Sequence, residues 1–144
     1  ISLRVAAIVG RDAGPAFFVE ENCLGPDGTL AWVDTSDVIH VPRDVSGVVL
    51  AHELVHHHLS ECGLPYCVEE GLAWVVAWRA LNMSELPRAF RPPANDVIAV
   101  LSLSRSEYFA LDETRTLEID RAACWVAERL GLARVECIDL SSQR

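Results

Sequence analysis

The stretch "LAHELVHHHLSECGLPYCVEEGLAW", Leu50 to Trp74, decides how this chain is read. Four of its five histidines, His52, His56, His57 and His58, crowd around Glu53. Apolar residues at Val45, Val48, Val49, Leu54, Val55 and Leu59 recur near the helical period, which predicts a helix over about 45–60 capped by Asp44 or Ser46. "CGLP" at 62–65 stops it, because glycine and proline break the pattern. A second helix then starts near Cys67, with Glu70, Ala73, Trp74, Ala77, Trp78 and Leu81 on one stripe.

Residues four apart on a helix share a face, about 5.4 Å along its axis, so His52 and His56 can grip one ion together. Glu53 lies about 100° further round, out of the ligand plane but placed to reach a water held by the metal. It is the candidate general base. A catalytic zinc takes three protein ligands and keeps one position open, so a third donor must come from elsewhere. Glu70 shares its stripe with apolar residues and points to the packed interface, whereas Glu69 points about 100° away, toward solvent. Glu70 is therefore the third candidate ligand. Shuffled sequences of this composition contain H-E-x-x-H about once in a hundred, so the helical context and the inward glutamate carry much of the weight.

The segment from 48 to 78, with H-E-x-x-H followed by E-G-L-A at Glu70–Gly71–Leu72–Ala73, resembles the gluzincin metallopeptidases, especially the small peptidase MA-like domains. The resemblance implies His52, His56 and Glu70 as ligands of Zn2+, Glu53 as base, and hydrolysis of peptide bonds in a peptide or protein substrate. It also implies a zincin-like sheet whose edge strand, assigned to "VIHVP", lines the cleft. The position four after Glu70, where some relatives place a carboxylate that orients a histidine, is Trp74; Asp112, Glu113 or Asp120 are the candidates to replace it. Tyr108 is the favoured donor to the reacting carbonyl oxygen, with Tyr66, His40 and Arg105 also eligible. The competing expectation is a zinc-containing but catalytically inactive or latent domain that binds peptides or regulates a partner, with the loop "SELPRAFRPPAN" plugging the cleft.

Outside this segment, "SLRVAAIV" at 2–9 and "AFFVE" at 16–20 read as strands, and "TLAWVD" with "DVIHVP" as a hairpin whose second strand, closed by Pro42, suits a sheet edge. "DVIAVLSLS" reads as a short helix, and one long helix is expected over about 106–131, ending at Gly131. His57, His58 and Glu69 are expected at the surface, His40 as an ordinary strand residue, and Trp74 and Trp78 in the core. Strands first and helices after give an α+β class, with a small mixed or antiparallel sheet, in one domain over 1–144.

The composition narrows the rest. The 144 residues are 51% apolar and 23% charged, which predicts a globular, soluble chain with a single core. The net charge is −9, and the 12 basic residues are all arginines scattered among acids, so nucleic acid is not expected as a partner. No apolar run reaches the roughly 20 residues of a membrane span. The odd count of 5 cysteines favours buried thiols, with Cys62 and Cys67 the pair placed to bridge. The first residue is isoleucine, so a removed leader or preceding domain stays open, as do compartment and oligomeric state.

Overall fold

The computed structural model describes residues 1–10, 13–21, 24–25, 28–60, 62–83 and 86–130. Nine elements follow in order: α1 (Ser2–Val9), β1 (Phe17–Glu20), β2 (Trp32–Val33), β3 (Val38–Val41), α2 (Gly47–Leu59), α3 (Tyr66–Ala80), α4 (Ala94–Ser102), α5 (Arg105–Phe109) and α6 (Glu113–Leu130). The described residues thus form a mixed three-stranded sheet and six helices, an α+β arrangement. None of these helices is long and apolar enough to cross a membrane.

The N-terminal segment is a helix and not the expected strand. A short apolar run is ambiguous by periodicity alone. Here Val5, Ala6 and Val9 form a buried helical stripe, and Gly10 closes the helix at φ 74 with its N–H on the Ala6 carbonyl. The left-handed cap suits glycine, which has no Cβ to clash.

The hairpin forms, but its second strand is central. β3 pairs in parallel with β1 (Phe17 with Val38) and antiparallel with β2 (Trp32 with His40), giving the order β1-β3-β2. Pro42 falls just beyond Val41, so its missing N–H costs the ladder nothing and does not force an edge. Asp34 shapes the connection: its Oδ1 accepts from the N–H groups of Ser36 (2.8 Å) and Val38 (3.0 Å).

Ser46, one of the two candidate caps, accepts from the Val49 N–H at the start of α2. α3 runs between α2 and α6, so it is buried on nearly every side: Leu72, Ala73, Val75, Val76 and Ala77 are all 2% exposed or less. The last long element is two helices. Ser104 and Glu107 form a capping box for α5, and Asp112 accepts from the Arg115 N–H at 2.8 Å to open α6. Each cap satisfies backbone donors and fixes a new start. The expected Gly131 terminus lies outside the described residues. Cys62 is disulfide-bonded while Cys67 and Cys124 are buried free thiols, so Cys62 and Cys67 do not bridge each other.

Gly71 sets the spacing between α3 and α6. A Cβ there would stand 2.3 Å from the carbonyl oxygen and 2.4 Å from the carbonyl carbon of Ala123, both backbone atoms. Alanine at this position gains about 1 kcal/mol of helix propensity but forces the helices apart, so Gly71→Ala should cost a net 1–3 kcal/mol or so in denaturant unfolding. Gly47→Ala, whose Cβ meets only Leu81 Cδ1 at 3.7 Å, should stay within about 0.5 kcal/mol of the parent.

Candidate metal centre

His52, Glu53 and His56 enter the site from α2, and Glu69 and Glu70 from the first turns of α3. The two helices are joined by the short connection 60–65, which ends at Pro65, the cap residue of α3. His52 and Glu53 are each 6% exposed. They face a cleft of about 400 Å³ whose walls include Trp32 and Val33 of β2, Arg105 and Tyr108 of α5, and Asp120 of α6. The edge strand at the cleft is therefore β2, and the expected "VIHVP" strand is the one behind it. That follows from β3 being paired on both sides.

The three expected ligands converge. Nε2 of His52 and Nε2 of His56 are 3.1 Å apart. Glu70 places Oε2 at 3.3 Å from the first and Oε1 at 3.2 Å from the second. Donors at about 2.0–2.1 Å around a tetrahedral ion stand roughly 3.3 Å apart, so these separations match the edges of such a site. Two imidazoles and a carboxylate are also a donor set that a divalent ion accepts. His52, His56 and Glu70 could therefore hold a metal ion.

Charge complementarity also draws these groups together. Burial alone would lower the pKa of His56, but hydrogen bonds to the Glu69 and Glu70 carboxylates outweigh it and lift it to about 10. Burial would raise Glu70, but His52 and His56 hold its carboxyl well below the usual range. Glu53 is different. Burial pushes its pKa up, and the pull of His52 and His56 in the other direction is smaller.

Glu69 corrects the expectation of a solvated side chain. Its Oε1 lies 2.7 Å from His56 Nδ1. An imidazole presents its two nitrogens on opposite sides, so the His56 ring sits between the successive carboxylates of Glu69 and Glu70. The carboxylate partner of His56 thus comes from the neighbour of the ligand, a signal present in the doubled glutamate of "VEEG". His52 has no equivalent. Among the described residues its Nδ1 is buried without a hydrogen-bond partner, and the ring lies against Trp74 with centroids 4.3 Å apart. Trp74 is accordingly a half-buried wall of the cleft and not purely core.

Of the carboxylates expected to replace that partner, Asp112 caps α6 and Asp120 lines the cleft, where its Oδ1 accepts from the Tyr108 hydroxyl at 2.7 Å. Burial raises the pKa of Asp120, and burial with the bond to Asp120 raises that of Tyr108. Tyr108, Tyr66 and Arg105 all line the cleft; His40 does not. His40 instead bridges Asp34 (2.8 Å) and Glu21 (3.1 Å) and stacks on Trp32, so it braces the hairpin beside the cleft.

His57 and His58 are 3% and 1% exposed, against the expectation of a surface position. The back of α2 is covered by the loop after α1 and by the hairpin turn. His57 Nδ1 stands 2.8 Å from Asp37 Oδ2 and its Nε2 3.2 Å from the Gly14 carbonyl, while His58 Nδ1 accepts from the Ala13 N–H at 3.1 Å.

Glu69→Gln should weaken metal binding about 10- to 100-fold in a chelator competition, since removing a carboxylate behind a ligating histidine costs that much. The His56 imidazole has a folded pKa above its unfolded value. Its contribution to stability is complete below about pH 6.5 and is lost as pH rises toward 10. Metal uptake at pH 7 should accordingly release a proton into a weakly buffered solution. Comparison with family models, with curated proteins and with solved structures returns no match for this chain.

Proposed function

We propose that this chain is a zinc-dependent hydrolase of peptide bonds, with a zincin-like fold and a site of the gluzincin kind. The observation that carries the reading is the convergence of His52, His56 and Glu70 with the buried carboxylate of Glu53 beside them, at the floor of an open cleft. A solvated, histidine-rich helix would not gather these groups at 3.1–3.3 Å in the interior. Zinc suits two imidazoles and one carboxylate better than the all-oxygen sites of magnesium or calcium.

His52, His56 and Glu70 would hold the ion, with Glu69 orienting the His56 ring. The chemistry supplied by a bound zinc is Lewis acidity toward water and the scissile carbonyl. Glu53 accepts the proton of the attacking water on its carboxylate and delivers it to the departing amine nitrogen. Burial of Glu53 suits both transfers, because a raised pKa brings the carboxyl closer to the working pH. Tyr108 or Tyr66 would donate to the carbonyl oxygen. Both hydroxyls are turned to carboxylates in the structure, Tyr108 to Asp120 and Tyr66 to Glu70.

The reading as an inactive or latent domain draws on two observations: the partnerless Nδ1 of His52 and the engaged hydroxyl of Tyr108. Against it, no described residue of the loop 84–95 lines the cleft, and Leu86 borders a separate groove. Glu53→Gln should keep its zinc and lose hydrolysis of a general peptide substrate by 1000-fold or so. Retained hydrolysis would overturn the mechanism. Protein purified without added metal should carry close to one equivalent of zinc; less than about half an equivalent counts against any resident ion.

A further inference from the structure

The cleft walls are acidic with one exception. Asp34, Glu53, Glu69, Glu70 and Asp120 line it, and Arg105 is the one arginine among the residues that do. Arg105 opens α5 directly after the Ser104 cap, so its backbone is anchored by the capping box. Its guanidinium lies 5.6 Å from the ring centroid of Tyr66 and 5.7 Å from that of Phe109. Tyr66 stands one helical turn before Glu70 on α3, so the ring that supports the guanidinium shares a face with a candidate ligand.

Stacking uses the flat face of a guanidinium, while its N–H donors lie in the plane at its rim. Five donors let the group keep a partner within the chain and still present a paired edge to a ligand. The ligand that fits such an edge is a carboxylate, held through two parallel charge-assisted hydrogen bonds. Away from the two histidines and an ion held by them, the other charged side chains of this cleft are carboxylates, which a substrate carboxylate would face as like charge.

We propose that Arg105 docks a substrate carboxylate, and that the cleft accepts peptides whose free C-terminus lies close to the scissile bond. The inference rests on the reading of the cleft as a peptide-hydrolysing site and names its substrate class. Neutral or cationic residues of the same peptide would lie along the acidic walls, and the negatively charged end would lie under Arg105. An internal aspartate or glutamate side chain offers the same chemistry, and the probes below separate the two sources.

The test uses the zinc-loaded full chain carrying Glu53→Gln, which allows binding without turnover. Trp32 and Trp74 line the cleft, so tryptophan fluorescence reports occupancy. Three probes are compared: N-acetyl-Ala-Ala-Phe-Ala as the free acid, the same peptide as its C-terminal amide, and the amide of N-acetyl-Ala-Ala-Phe-Glu. The free acid should bind about tenfold or more tighter than its amide. Adding Arg105→Gln should reduce that preference to less than about threefold without changing zinc content, and Arg105→Lys should keep part of it. Equal affinity of acid and amide, a preference that survives Arg105→Gln, or no binding of any probe would overturn the proposal. Tightest binding of the glutamate amide would overturn the assignment to the C-terminus. The parent chain is assayed in parallel for cleavage of the free acid. Preference without cleavage defeats the hydrolase reading and leaves the carboxylate site standing, whereas cleavage of acid and amide at equal rates does the reverse.

Discussion

The imidazole of His56 held between two successive carboxylates is the contact on which the rest of the site depends. Glu69 takes one ring nitrogen and Glu70 shares the other with His52, so the first turn of α3 is locked against the last turns of α2. Neither helix could shift by a residue without leaving buried charge unmatched, and an uncompensated buried charge is among the costliest defects a core can carry. The packing behind α3 has to be equally exact in register. Gly71 allows the α6 backbone to approach where any side chain would intervene, and the same approach carries Asp120 into the cleft.

α2 uses its histidines for two different purposes on two faces. His52 and His56 look into the cleft, while His57 and His58 bind the hairpin turn and the loop after α1 through Asp37, Gly14 and Ala13. The helix that presents the ligands is thereby fixed from behind by polar contacts as well as by Leu54, Val55 and Leu59. Asp37 adopts a left-handed φ of 62, an unusual conformation for a residue with a Cβ, in the turn that meets His57. The two ligating imidazoles are unequally supported. His56 has a carboxylate at its outer nitrogen, and His52 has an indole against its ring. The two halves of the candidate site would therefore back a bound ion unequally.

Much of this was legible in the amino-acid order. Spacing of four gives His52 and His56 one face, the intervening Glu53 falls beside them, and "CGLP" bounds the helix. The stripe that begins at Glu70 turns that residue inward. These are local properties: helical geometry over a few residues determines them, whatever else the chain does. Periodicity alone joins 106–131 into one helix, and the caps at Ser104 and Asp112, which that reading passed over, divide it in two.

What only the tertiary structure decided is which polar groups meet across elements. The strand reading of "SLRVAAIV" failed because a short run with six apolar residues in eight satisfies a buried helix as well as a strand, and packing of α1 against α2 and α3 settles the choice. β3 became central because β1 returned beside it in parallel, a pairing with no local signature. The burial of His57 and His58 and the contact of Glu69 with His56 arise from surfaces far apart in the chain. Sequence by itself determined the residues that can carry the chemistry, since their spacing along a helix is a covalent fact. Their partners, the acidic cleft with its single arginine, and the unequal backing of the two histidines follow from long-range packing, which no period in the sequence encodes.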